Sequence, residues 1–241
     1  MRGDTGVVLA AGGSGRRFGA KKQLMSLRGK PLLHYSLDTL AGLEAVSRLV
    51  IVMPREDLDT GRCLLEEWLS GRRAEPSRDN EPRFDMIEGG PRRQDSVVNG
   101  LRLLRASVRC VLVHDAARPL LRADEARRVL DAVRAHGAAV IGTPVTDSVK
   151  RVEEGRIVES LPRQQVWTVQ TPQGAILETL LEAYEARESE EFTDEASALG
   201  AAGVPVFVVE GSPENIKITR PRDVVLAEKI LQTRSTGEEM T

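Results

Sequence analysis

The sequence predicts an α/β fold, a Rossmann-like, mostly parallel sheet covered by helices. Three observations carry that reading. Short apolar runs alternate with helical patterns along most of the chain, the rhythm of repeated strand–helix–strand units. One run, Cys110-Val111-Leu112-Val113, is apolar at every position, as a strand buried on both faces must be. The first run opens into a loop rich in glycine and cations, at the carboxyl end of a strand where open α/β sheets bind ligands. With 241 residues, the chain can bury a substantial core.

Taken in order, Gly6 to Ala10 forms the first strand. Pro31 starts a helix, since its fixed φ suits a first turn, and Leu32, Leu33, Tyr35, Ser36 and Leu40 continue at helical spacing. A strand over 48–53 and a helix over 56–69 follow, the latter carrying Leu58, Leu64, Leu65 and Trp68. Residues 70–82 are polar and charged, a surface connection. Phe84 to Ile87 makes a short strand and Asp95 to Leu104 a helix. The apolar strand at 110–113, a helix over 123–136 and a strand over 138–141 complete the rhythm.

From Thr146 to Val169 neither a helix nor a compact crossover is legible. Ser148 to Val152 and Arg156 to Ser160 alternate with period two about a Glu153-Glu154-Gly155 turn, which predicts a hairpin. A lone hairpin is marginal in water, so this arm is expected to lean on a neighbouring subunit. Helices over 174–187 and 193–202, a strand over 204–209 and a last helix over 222–233 close the pattern. One domain is expected over 1–234, with 148–165 as its arm and 235–241 as a frayed tail.

Composition narrows the function classes. Lys plus Arg (34) nearly balances Asp plus Glu (36), which argues against nucleic acid or an anionic membrane as partner. Only 3% of residues are aromatic, too few for stacking platforms along a single strand. No apolar run approaches the ~20 residues of a membrane span. A strand is expected almost at once after Met1, so no signal peptide is expected. Cys63 and Cys110 lack metal-ligand spacing, so reduced core thiols and a cytoplasmic location are expected.

The loop from Leu9 to Gln23 gathers Gly12, Gly13, Gly15 and Gly19 with Arg16, Arg17, Lys21 and Lys22. Glycine lets backbone N–H groups turn inward into an anion-binding nest, and the cations neutralise what the nest holds. A Walker loop would end in Gly-Lys-Ser/Thr, whereas Gly19 precedes Ala20 and two lysines. A dinucleotide fingerprint needs G-x-G-x-x-G and an acid after the second strand. Here the spacing is one residue longer, and that strand ends in Met53-Pro54. A triphosphate cradle remains.

Other candidates end later strands. Asp115, in His114-Asp115-Ala116-Ala117-Arg118-Pro119, is a hard oxygen donor suited to the Mg²⁺ that a triphosphate brings. Read on its own, it serves equally to cap the next turn with Arg118 as its ion partner. His114 is expected to be a packed, hydrogen-bonded side chain. In Gly89-Gly90-Pro91-Arg92-Arg93-Gln94-Asp95-Ser96, the serine or Asp95 could cap a helix, or the glycines and Ser96 could read the edge of a base. Lys217 and Arg163, taken alone, are solvated cations, and Thr193-Asp194-Glu195 reads as a helix N-terminus.

Together the motifs AAGGSGRRFG, RQDSV, HDAARP, PVTDS, TPQ, TDEASAL and NIKITRP resemble the 2-C-methyl-D-erythritol 4-phosphate cytidylyltransferases of the non-mevalonate isoprenoid pathway. The likeness runs from Leu9 to about Glu228. It implies an enzyme that transfers CMP from CTP to methylerythritol phosphate with Mg²⁺ or another divalent cation, as a homodimer joined through the 148–165 arm. The resemblance implies that Ala10, Ala11, Gly12, Gly13, Ser14 and Gly15 hold CTP, and that Gly90 and Ser96 contact the cytosine. Ala116 and Arg118 join the substrate-binding set, and Asp115 positions the metal. Arg17, Lys22 and Lys217 are the implied catalytic cations. Ser148 and Arg163 are the implied ligands of methylerythritol phosphate, Arg163 reaching into a partner's site. Three positions depart from the family's pattern: Lys21 stands where proline is usual, Pro91 where an acid is common, and Ser148 where threonine is common. The register of Gln23 selects Lys22 over Lys21. A ribitol-5-phosphate or other sugar-phosphate cytidylyltransferase is the alternative within the same chemistry.

Overall fold

The computed structural model of the chain describes residues 3–12, 25–72 and 81–236. In chain order its strands are β1 (Thr5–Ala10), β2 (Ser26–Leu27), β3 (Lys30–Pro31), β4 (Val46–Met53), β5 (Arg83–Glu88), β6 (Cys110–Asp115), β7 (Ala138–Pro144), β8 (Val149–Glu153), β9 (Arg156–Leu161), β10 (Trp167–Ile176) and β11 (Phe207–Glu210). The helices are α1 (Leu32–Ala41), α2 (Leu58–Arg72), α3 (Arg93–Leu104), α4 (Ala123–His136), α5 (Leu177–Glu185), α6 (Glu195–Ala201) and α7 (Pro221–Thr236). Seven strands form one sheet in the order β11-β7-β10-β6-β1-β4-β5. Neighbours in it are parallel except at β10, which runs antiparallel to both β6 and β7.

The alternation of side chains along each strand divides the core into two layers. Val7, Leu9, Leu49 and Ile51 point to one face, where Leu33, Leu37 and Leu40 of α1, Trp68 of α2 and Val129 and Val133 of α4 cover them. Val8, Val50, Val52, Val111 and Val113 point to the other, against Val97 and Leu101 of α3, Leu180 and Leu181 of α5 and Leu199 of α6. A smaller cluster seats α7 on the β2–β3 hairpin through Leu27, Leu32, Leu120, Ile218 and Ile230. Both faces of β1 and β6 are buried along their full length, which is why these strands read as unbroken apolar runs.

The predicted elements are present, with three shifts. Gly174 does not open a helix. It lies in β10, and α5 begins only at Leu177. Pro172, Gly174 and four polar residues concealed that strand, because proline and glycine weaken a central strand. The ladder accommodates them with an irregularity between Val169 and Gln173. The edge strand predicted over 204–209 starts at Phe207, and α7 runs on to Thr236; the rest of the expected tail lies outside the described residues. Cys110 is buried as expected, but Cys63 is exposed on α2 rather than in the core. Among the described residues no helix is long and apolar enough to cross a membrane.

The predicted hairpin forms. Among the described residues β8 and β9 pair only with each other, and Val152, Ile157 and Val158 are 54%, 66% and 45% exposed.

Gly100 fixes how closely α3 approaches the sheet. A Cβ there would lie 2.8 and 2.9 Å from the two methyl carbons of Val8. Alanine in an open helix gains up to ~1 kcal/mol over glycine, but here overpacking against a buried strand dominates. Gly100→Ala is expected to destabilise the fold by about 1–3 kcal/mol in urea unfolding, and a stabilised variant would refute the tight packing.

Candidate active site

Strand register brings four loops to one edge. Ala10 is aligned with Val52 and Asp115, and Met53 with Glu88. The amide of Ala116 donates to Ala10 O at 3.0 Å and that of Ala11 to Val52 O at 2.8 Å, pinning the first residues beyond each strand. Because β10 runs the other way, its amino-terminal half lies at this same edge. There the Thr171 hydroxyl accepts the Asp115 N–H at 3.1 Å.

Asp115 is the hub of this edge. Its Oδ1 accepts Nε of Arg93 at 3.1 Å, and its Oδ2 accepts Nζ of Lys217 at 2.6 Å. Burial would raise the carboxyl pKa, but Arg93 and then Lys217 outweigh it and hold the group well below the usual carboxylate range. Arg93 is itself gripped from behind. Its two terminal nitrogens reach Glu195 Oε1 at 2.7 Å and Oε2 at 3.2 Å, and the Tyr184 hydroxyl donates to Glu195 Oε1 at 3.2 Å. Burial opposes the charge on Arg93, yet Glu195 and Asp115 overcome it and raise the guanidinium pKa. Burial and then Glu195 push the Tyr184 phenol up, which keeps it protonated as a donor.

Arg118 does not pair with the Asp115 carboxylate. Its backbone N–H closes a turn to Asp115 O, and its guanidinium donates to Asn215 O at 2.7 Å. The capping alternative for Asp115 therefore holds only for its backbone. Asn215 in turn donates to Gln170 and to Thr171 O, and Ile218 N bonds Ala117 O. These links set Lys217 opposite Asp115, 102 residues away in sequence.

The glycine loop after β5 folds back on α3. Gly90 N–H donates to Ser96 Oγ at 3.0 Å, and Arg92 N–H donates to Asp95 Oδ2 at 3.0 Å. A Cβ on Gly90 would come within 2.3 Å of Asp95 Cβ, so only glycine fits there. Asp95 is thus the capping residue, and Ser96 organises the loop. Asp194 caps α6 by accepting Ser197 N–H, as the sequence predicts. Gln173 ties β10 to the start of α6, donating to Asp194 and accepting from Ala196 N–H.

The family model for 2-C-methyl-D-erythritol 4-phosphate cytidylyltransferase matches residues 5–233. The chain belongs to this cytidylyltransferase family. A 2-C-methyl-D-erythritol 4-phosphate cytidylyltransferase of Symbiobacterium thermophilum is 38% identical over 94% of this chain and 92% of its own. The bifunctional enzyme IspD/IspF of Anaeromyxobacter dehalogenans is 44% identical over 93% of this chain, which spans 56% of that relative's length. The crystal structure of the Thermus thermophilus cytidylyltransferase aligns with a TM-score of 0.71 and 31% identity, covering 96% of this chain and 100% of that one. The 4-diphosphocytidyl-2C-methyl-D-erythritol synthase of Anaerococcus prevotii gives a TM-score of 0.81 at 25% identity, covering 95% and 99%.

Of the residues implied by the cytidylyltransferase motifs, Ala10, Ala11, Gly12, Gly90, Ser96, Asp115, Ala116, Arg118 and Lys217 lie along the shared edge. Ser148 is exposed at the base of the arm, and Arg163, exposed at its far root, donates to Thr146 O at 2.8 Å. Gly13, Ser14, Gly15, Arg17 and Lys22 lie outside the described residues, as do Arg16 and Lys21. Sequence reasoning missed Arg93, Glu195 and Tyr184. The only signal was that RQDSV and TDEASAL both belong to the family's motifs.

His114 is buried and hydrogen-bonded, as the sequence predicts. Its ring bonds Arg118 O and Thr171 Oγ1 at 3.1 and 3.0 Å, and burial lowers its pKa from 6.5 to about 4. Between those values the unfolded chain binds the extra proton and the fold does not, so stability falls as pH drops through that window, by on the order of 3 kcal/mol in full. Urea unfolding from pH 7 to 4 is expected to show that slope in the wild type and its loss in His114→Gln. An identical slope in both would exclude His114 as its source.

Proposed function

We propose that this chain catalyses transfer of CMP from CTP to 2-C-methyl-D-erythritol 4-phosphate, giving 4-diphosphocytidyl-2-C-methyl-D-erythritol and pyrophosphate. The observation that carries the reading is the ionised Asp115 flanked by Lys217 and Arg93 at the edge where β1, β4, β5 and β6 end, in a chain with family membership over residues 5–233. We read residues 1–234 as one catalytic domain.

The nucleophile is a phosphate oxygen of methylerythritol phosphate, already ionised at neutral pH. It attacks the α-phosphorus of CTP in line, a new P–O bond forms, and pyrophosphate leaves with the electron pair of the broken bond. No general base is needed, so catalysis rests on positioning and on charge stabilisation around a crowded anionic transition state. Arg17 and Lys22 belong to that role with Lys217, and residues 10–15 to the triphosphate cradle. Gly90, Ser96 and Ala116 line the nucleotide's path. Arg118, whose buried Nε lacks a hydrogen-bond partner among the described residues, is suited to an anionic substrate group.

The edge suits a divalent cation, Mg²⁺ in this reading. Among the described residues no three His, Cys, Asp or Glu side chains cluster, and Asp115 offers one ionised carboxylate. That matches Mg²⁺, which takes one or two carboxylates and completes its shell with phosphates and water. Bound there, it would neutralise phosphate charge.

Ser148 and Arg163 flank the arm and are proposed to bind methylerythritol phosphate, Arg163 across a homodimer. Exposed Val152, Ile157 and Val158 support an arm covered by a second copy. Sedimentation at micromolar concentration is expected to give a dimer, and Ile157→Glu a weaker one. A wild-type monomer would overturn the arrangement.

The deciding assay is pyrophosphate release from CTP with methylerythritol phosphate and ribitol phosphate in parallel. Turnover is expected with the former, and exclusive use of the latter refutes the substrate assignment. Lys22→Ala is expected to lose about 10²–10³ in kcat with the fold intact, and near-normal turnover would remove Lys22 from the mechanism.

A further inference from the structure

Four side chains of alternating charge form a chain across the catalytic edge: Glu195, Arg93, Asp115 and Lys217. Its two ends differ. Glu195 is 1% exposed and holds the guanidinium with both oxygens, a two-pronged pair in a buried setting where both geometry and charge are fixed. Lys217 is 41% exposed, a point charge on a flexible stem that meets a single oxygen. Asp115 therefore has one permanent partner at Oδ1 and one exchangeable partner at Oδ2.

Glu195 also decides how much of the Arg93 charge Asp115 feels. With the guanidinium shared between two carboxylates, neither is fully neutralised by it. Freed from Glu195, the same guanidinium could turn both prongs onto Asp115 and occupy the carboxylate completely. The motif TDEASAL, whose acids cap a helix when read from sequence, thus reaches the reaction centre through one residue.

We propose that Glu195 is a positioning residue for Asp115. By gripping Arg93 it confines the guanidinium to Oδ1, and Oδ2 stays open to pass from Lys217 to an incoming divalent cation, releasing Lys217 toward the substrate phosphates. This rests on Asp115 as the cation-bearing carboxylate.

The test measures binding without turnover. Mn²⁺ affinity in the presence of CTP and the absence of the sugar phosphate is read by electron paramagnetic resonance, CTP affinity in EDTA by calorimetry, and folding by thermal melting. In Glu195→Gln, Mn²⁺ affinity is expected to fall on the order of tenfold or more while metal-free CTP affinity holds, the scale seen when a residue that orients a metal ligand is removed. Tyr184→Phe, which removes only the hydroxyl on Glu195, is expected to weaken Mn²⁺ in the same direction and less. Wild-type Mn²⁺ affinity in Glu195→Gln, with its loss in Asp115→Asn, overturns the positioning role and leaves the Asp115 assignment standing. Retained affinity in Asp115→Asn overturns both. Equal losses of Mn²⁺ and metal-free CTP binding in Glu195→Gln mark a merely structural residue and also overturn the proposal. Should Glu195→Gln fail to fold, Tyr184→Phe decides, with weakened Mn²⁺ supporting the role and unchanged Mn²⁺ refuting it.

Discussion

The edge of the sheet where β1, β4, β5 and β6 end is arranged around one buried carboxylate. An ionised acid away from water is expensive unless paired, and removing one partner of such a pair costs about 3–5 kcal/mol. Asp115 is 7% exposed, and its two cationic partners arrive from segments far apart in the chain, Arg93 from the start of α3 and Lys217 from the approach to α7. The edge is therefore stable only when β6, α3 and the 215–219 segment are docked together. The same requirement concentrates charge where an anionic transition state would form. Under the proposed function, the electrostatics of folding and of chemistry converge on one group.

The neighbouring uncharged polar residues tie the segments of this edge together. His114, directly before Asp115, fills a buried socket and bonds Thr171, whose hydroxyl also accepts the Asp115 N–H. It keeps the strand end rigid and stays neutral near pH 7. Gln94 and Gln173 are also buried, and they bind the 190–196 segment to α3 and β10. Their amides satisfy backbone and carboxylate groups without adding charge, so the ionic chain keeps its balance.

Much of this was legible in the chain. β1, β6 and residues 49–53 of β4 are buried on both faces and declare themselves as apolar runs. The helix over 123–136 and the exposed arm follow from simple periodicity. β10 was not legible, because its inward-facing side chains Gln170, Thr171 and Gln173 bond other segments instead of packing in an apolar layer. Lys217 was placed by the family's motif, since its partner lies 102 residues away and local charge gives no hint of it. Glu195 shows the same limit: an acid in a first helical turn looks like a response to the dipole, and only the folded chain reveals a guanidinium opposite.

The reversed strand β10 has a consequence for how the molecule is made. It fills the slot between β6 and β7, yet it is the last strand synthesised before the edge strand β11. A growing chain that ends in the arm holds β6 and β7 with their facing edges unpaired, two rows of backbone donors and acceptors open to other strands. The sheet closes only when residues 167–176 return from the arm and thread between them. Assembly of the core thus waits on a late segment of the chain, and the interval before its arrival is when nascent copies are most exposed to wrong pairing with one another.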